Sequence, residues 1–132
     1  MLSALHIIDL AAFRDLEERV AERHPGEQHL YKIKAADQFK PNLIIDTGIA
    51  YSDDMLIELR IGQALIRAVG PATRCSQVRL DTQNGCFFPE QEPIATLNTY
   101  RFVKNLGTVF GNYFNIDVLE GETLYNKILP ED

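Results

Sequence analysis

A short apolar run, Leu43-Ile44-Ile45, delivers a carboxylate at Asp46, and the hydroxyl of Thr47 and the flexible Gly48 follow it. Two such carboxylates brought together and sharing one proton activate a water, because like charges a few ångströms apart cannot both ionise. Asp53, Asp54 and Glu58 come soon after, and hard divalent cations prefer carboxylate oxygens. Their spacing matches no EF-hand loop. Behind Ser52, Asp53 and Asp54 are explained as negative charges in the first turn of a capped helix, so no metal is expected. His6, His24 and His29 are scattered, and the sequence holds no GxSxG, Walker or GxGxxG element; no cofactor follows from these residues. Cys75 and Cys86 have neither CxxC spacing nor the density of a disulfide scaffold, and read as buried thiols in a reducing cytosol.

The neighbourhood of Asp46 locally resembles the retropepsin-like aspartic proteases. The likeness runs over residues 29–119: a strand-like segment at 29–34, a turn, the run from Asn42 into Asp46-Thr47-Gly48, and a following helix. Gln83-Asn84-Gly85 stands where a flap hairpin would lie, and Val109-Phe110-Gly111-Asn112 resembles the element that braces the active-site loop in that family. The resemblance implies a homodimer in which Asp46 of each subunit forms the catalytic pair. Ile49 stands where the family has Ala, Ser or Thr, and the N-terminal βα unit has no place in its minimal fold. The simpler account of Asp-Thr-Gly is an aspartate that caps a turn.

The elements that must position these groups follow from periodicity. Residues 5–8 read as a strand and Asp9 as the cap of a helix over 10–24, with Leu10, Phe13, Leu16 and Val20 on one face and Pro25-Gly26 as its stop. Arg14, Asp15, Glu18, Arg19 and Glu22 form the solvated side, Asp15 and Arg19 spaced to pair. Residues 29–34 alternate as a strand that forms a hairpin with 42–46. Ser52 then caps a helix ending at Val69, with Gly70-Pro71 as its stop. That helix is apolar nearly all round, which implies burial on two sides or contact with another subunit. Arg60, Gln63 and Arg67 make a narrow polar stripe on it. From Cys75 onward the pattern turns to strands: a hairpin around Asn84-Gly85, a break at residues 89–93, and three strands within 94–129. The order βα, ββα, then a β-rich C-terminal half predicts an α+β fold, an antiparallel or mixed sheet with two helices packed on it, with a ferredoxin-like start.

The chain has 132 residues, 45% hydrophobic and 24% charged, enough for one domain with a real core. A formal net charge of -6 without a Lys/Arg cluster argues against nucleic acid, and Lys32, Lys34 and Lys40 read as a solvated edge. No apolar run reaches bilayer length and no signal peptide is evident, so a cytoplasmic protein without a membrane partner is expected. With no complete catalytic constellation, the leading expectation is an acidic binding or interaction domain that self-associates as a homo-oligomer. Its contact surface would be built from Arg60, Gln63, Arg67 and aromatics such as Tyr100 and Phe102. The alternatives are the Asp46 peptidase and a small-molecule-binding domain using Tyr51, Arg60 or Tyr100.

Overall fold

Alternation along Leu5–Asp9 makes the first strand, β1, of a computed structural model that describes residues 5–117. Ile8 enters one apolar cluster and Ile7 another, so β1 separates two cores lying on the two faces of the sheet. Asp9 ends the strand and caps the helix α1, Leu10–Arg23, its carboxylate accepting from the Ala11 amide at 3.2 Å. The α1 face holding Phe13, Leu16 and Val20 is buried as its 3.6-residue period requires, and Asp15 pairs with Arg19 at 2.7 Å.

The alternation at residues 29–34 is real, yet it makes no strand. Tyr31 and Ile33 are buried and Lys32 and Lys34 exposed, but the backbone is a 3-10 turn, Gln28–Leu30, followed by unpaired extended chain. It runs into a short helix, α2, Ala35–Phe39, which ends on Lys40 in the left-handed region at φ 48°. The strand β2, Leu43–Ile45, then pairs parallel to β1, Ile8 facing Ile44. This replaces the expected hairpin and removes the ferredoxin-like start.

The expected helix after Ser52 is a hairpin. A 3-10 turn, Ser52–Met55, is all that forms before β3, Glu58–Ile61, and β4, Ala64–Thr73, with Gly62 at φ 59° in the turn between them. A continuous apolar run is compatible with either a buried helix or a buried strand, and β-branched Ile57, Ile61, Ile66 and Val69 favour the pleated surface. Gly70 and Pro71 are no helix stop. They lie where the pairing of β4 with the long strand β8, Gly107–Asp117, shifts register twice, and such a bulge is one of the few places a strand tolerates proline.

The sheet order is β2-β1-β8-β4-β3, parallel only between β1 and β2. The start of β8 also pairs with β7, Phe102–Val103. A separate hairpin joins β5, Leu80–Asp81, to β6, Cys86–Phe87, around Asn84-Gly85, as the sequence suggests. A cis Glu92–Pro93 bond leads into a third helix, α3, Ile94–Tyr100, where a strand was expected; the remaining expected strands extend past residue 117, outside the described residues. The α+β class with a mixed sheet therefore holds. Among the described residues no helix is long and apolar enough to cross a membrane.

Candidate functional site

The two register shifts in β4 carry the chain out of the sheet at Thr73, and Arg74-Cys75-Ser76 then run along a cavity of about 450 Å³. Lys40 and Gln38 of the α2 segment form another wall, and Leu80, Thr82 and Phe87 of the β5–β6 hairpin complete it. Gln38 ties these walls together: its amide donates to the Leu80 carbonyl at 2.7 Å and its side-chain oxygen accepts from the Lys34 amide at 2.6 Å. The volume is that of a small-molecule site.

Cys75 is exposed in this cavity, and Cys86 is exposed as well. The expectation of two buried thiols fails for a local reason: Cys75 follows the strand's exit from the sheet, and Cys86 sits on a two-residue strand with no second layer over it.

Arg74 is held from several sides. Its Nε donates to the Phe110 carbonyl at 2.8 Å, Nη1 to the Phe39 carbonyl at 3.4 Å, and Nη2 to Nε2 of His6; the guanidinium carbon lies 4.9 Å over the Phe39 ring. Burial pushes Arg74 down to about 10, which leaves it charged at neutral pH. No carboxylate pairs with it among the described residues.

His6, 7% exposed, is pushed down to about 4, first by burial and then by the Arg74 charge, against a hydrogen bond to the Lys40 backbone. Its imidazole is therefore neutral and accepts from Arg74. The backbone of His6 is also fixed, its amide donating to Asn42 Oδ1 at 2.7 Å. Gly111 makes this crossing possible. A Cβ there would lie 2.6 Å from Ile8 Cδ1, 2.9 Å from His6 Nε2 and 3.1 Å from Arg74 Nη2, and its φ is +84°.

A pH limb follows from His6. Above pH 6.5 it is neutral folded or unfolded. Between pH 6.5 and about 4 only the unfolded chain takes up the proton, so stability falls with acid. The His6 contribution to that fall is about 2 kcal/mol at pH 5. Denaturant titrations at pH 7 and pH 5 on the native chain and on His6→Gln measure it: the variant is expected to lose less stability between the two pH values.

The sequence-derived candidates lie elsewhere. Asp46 is exposed, its carboxylate accepting from the Gly48 amide at 3.0 Å and facing Arg14 at 3.5 Å. It is the turn-capping aspartate, while Thr47 turns inward to Asp9 at 2.7 Å. Asp53 is buried: Asn112 Nδ2 bridges it to Asp54 at 2.8 and 3.0 Å, burial pushes its carboxyl up, and Asp54 pairs with Arg101 at 2.8 Å. Among the described residues no three His, Cys, Asp or Glu groups converge on a metal position.

Tyr51 and Tyr100 do meet, hydroxyl to hydroxyl, with Asp15 2.9 Å from Tyr51 and the Arg19 guanidinium 3.8 Å over the Tyr100 ring. This bracket joins α1 to α3. Neither tyrosine lines the Cys75 cavity. Arg60, Gln63 and Arg67 form no helical stripe, because the helix that would align them is a hairpin: its register puts Arg60 and Arg67 on one face, Arg67 pairs with Glu58 and Asp117, and Gln63 lies in the turn beside an apolar hollow. Phe102 is exposed on β7.

The cavity residues Lys40, Arg74 and Cys75 carried a weak sequence signal, an arginine directly before a thiol. The signal is masked because Cys75 follows an apolar run that reads as core. A family profile described as "MOSC domain" matches residues 2–127. A molybdenum cofactor sulfurase from Oryza sativa subsp. japonica is 39% identical over 88 residues, 66% of this chain and 11% of that protein. Mitochondrial amidoxime reducing component 2 from Rattus norvegicus is 30% identical over 137 aligned positions, 96% of this chain and 37% of that protein. The molybdenum cofactor sulfurase of Arabidopsis thaliana is 25% identical over 114 residues, 86% of this chain and 14% of that protein. The chain thus spans between about a tenth and two fifths of the length of these relatives.

Proposed function

The chain belongs to the MOSC domain family, and from that premise we propose that it is a cofactor-binding domain whose Cys75 cavity takes a molybdenum-bearing cofactor. The family match overturns both the reading as an interaction domain of unknown partner and the Asp46 peptidase, and the turn-capping geometry of Asp46 gives the latter no pair to form. The observation that supports the new reading most is an exposed thiol in a cavity of small-molecule size, flanked by the cations Arg74 and Lys40.

That donor set suits the group. A cysteine sulfur is a ligand for soft transition metals and a nucleophile toward sulfur, and cations beside it attract any anionic part of the ligand. Ser76, Gln77, Thr73 and Thr82 supply hydroxyl and amide contacts around the cavity. When bound, a molybdenum centre supplies redox or atom-transfer chemistry; this chain's residues hold and orient it. The small-molecule partner thus moves from Tyr51, Arg60 and Tyr100 to Cys75.

The test loads the protein with molybdenum cofactor released from a donor protein and counts molybdenum per chain after gel filtration. Native protein and Cys86→Ser are expected to retain it, and Cys75→Ser to lose at least about tenfold in occupancy, the usual scale of removing one ligand or its orienting partner. Equal retention by Cys75→Ser would remove the assignment.

Two further expectations stand as proposals. Cytoplasmic residence draws support from two exposed, unpaired thiols, which suit a reducing compartment. Self-association, deprived of its helix, draws support only from the exposed Met55, Ile57 and Val69.

A further inference from the structure

We propose that His6 is a positioning residue for Cys75: it holds Arg74, which has no carboxylate counter-ion among the described residues, as a cation against the cavity, so that the thiol is presented to anionic ligands in preference to neutral ones. The inference deepens the cofactor-site reading above, but its physical content is separate, since it concerns the field at the sulfur whatever binds there.

The usual role of an arginine beside a reactive group is to grip an anion with its fork of donors. Arg74 is poorly placed for that. Each of its three nitrogens already donates within the protein, to Phe110, Phe39 and His6, and its plane rests on Phe39. All of these partners are neutral. Withdrawing a cation from water against carbonyls, an imidazole and a ring is costly unless a negative charge comes to it. No carboxylate does so among the described residues. Asp37, the one acidic side chain lining the cavity among the described residues, faces Thr82 at 3.3 Å, and Lys40 adds a second cation. The negative partner that electrostatics requires is then an anion brought into the cavity, which Arg74 and the adjacent Cys75 both line.

His6 decides where that charge sits. Its imidazole accepts from Nη2 and so fixes the end of the guanidinium at the cavity wall. The His6 backbone is held by Asn42, and Tyr113 packs beside its ring with centroids 5.3 Å apart. A neutral acceptor is required at this point: a carboxylate would quench the field, and an apolar group would release the guanidinium.

The two exposed cysteines give the experiment an internal reference. The full chain is treated at pH 7 with iodoacetate, an anion, or iodoacetamide, its neutral analogue, and the rate at each cysteine is read by peptide mass spectrometry. The ratio of iodoacetate to iodoacetamide rates is expected to be at least about tenfold higher at Cys75 than at Cys86, the low end of electrostatic focusing in a charged cleft, and to shrink as salt is raised. His6→Leu is expected to bring the Cys75 ratio down toward that of Cys86, while His6→Gln, whose amide oxygen can accept from Arg74, retains most of it. Lys40→Gln separates the contribution of the second cation and is expected to lower the ratio less than His6→Leu. Equal ratios at the two cysteines of the native chain would overturn the proposal without any variant, even if molybdenum binds. A His6→Leu protein that stays folded and keeps the native ratio would overturn the role of His6. A high ratio at Cys75 in a chain that retains no molybdenum would sustain this inference while the cofactor assignment fell.

Discussion

Replacing Gly111 by alanine is expected to destabilise the protein by about 3 kcal/mol or more, lowering Tm by roughly 10 °C. Two costs add there. A left-handed φ of +84° strains any side-chain-bearing residue by about 1–2 kcal/mol, and a Cβ placed 2.6 Å from Ile8 Cδ1 and 2.9 Å from His6 Nε2 overpacks a closed crossing at about 1–3 kcal/mol. The neighbours cannot give way cheaply: Ile8 is fully buried, and His6 is held by its bonds to Arg74 and Asn42. Gly85→Ala supplies the control, because its φ of +72° carries the same backbone strain while its Cβ meets nothing within 4 Å. Thermal unfolding of both variants separates strain from overpacking. Gly111→Ala is also expected to disturb alkylation of Cys75 and Gly85→Ala to leave it unchanged, since only the former pushes on the His6–Arg74 pair.

The second large effect lies at the opposite end of α1. Glu92 has no exposed surface, and its carboxylate accepts from His24 Nε2 at 2.8 Å, from the Thr96 amide at 2.9 Å, from Thr96 Oγ1 at 2.8 Å and from Arg23 Nε at 3.4 Å. It joins the C-terminal end of α1 to the first turn of α3, and His24, stacked on Tyr31 with centroids 4.4 Å apart, carries the tie into the 29–34 segment. Glu92→Ala strands these donors around a cavity and is expected to cost about 3–5 kcal/mol by chemical denaturation. Glu92→Gln keeps the volume and an oxygen toward the Thr96 amide, and is expected to cost about 1–2 kcal/mol. Near-equal losses in the two variants would show that volume, and not the polar tie, holds α1 to α3.

What the chain discloses of this fold depends on how local each cause is. The β1–α1 unit is legible from Asp9 and the Phe13, Leu16, Val20 face, because a cap and a 3.6-residue period are written within a few residues of one another. The Asn84-Gly85 hairpin is legible for the same reason. The 42–71 region is not: an apolar run destined for a sheet is set by strands far away in sequence, β8 above all, and nothing local distinguishes it from a buried helix. Parallel pairing of β2 with β1 is equally non-local. The site was hidden by both effects together. Cys75 is exposed just past the strand whose register slips at Gly70 and Pro71, and Arg74 gains its meaning only when His6, Phe39 and Phe110, from three other elements, close around it. Asp46-Thr47-Gly48 drew notice because a motif is legible when its residues are consecutive, and here consecutive residues cap a turn.

The sheet ends in two different ways. On one side β2 has three residues, and its chain leaves at Thr47, whose amide and hydroxyl are both turned to Asp9. On the other, β3 carries exposed Glu58 and Arg60. An unpaired strand is a template on which another chain can add, and length, flatness and lack of charge are what make it a good one. Neither edge offers that combination. Among the described residues, apolar side chains such as Ile44 and Ile61 therefore lie near margins that are expected to be poor templates for edge-to-edge addition, one for its shortness and the other for its charges.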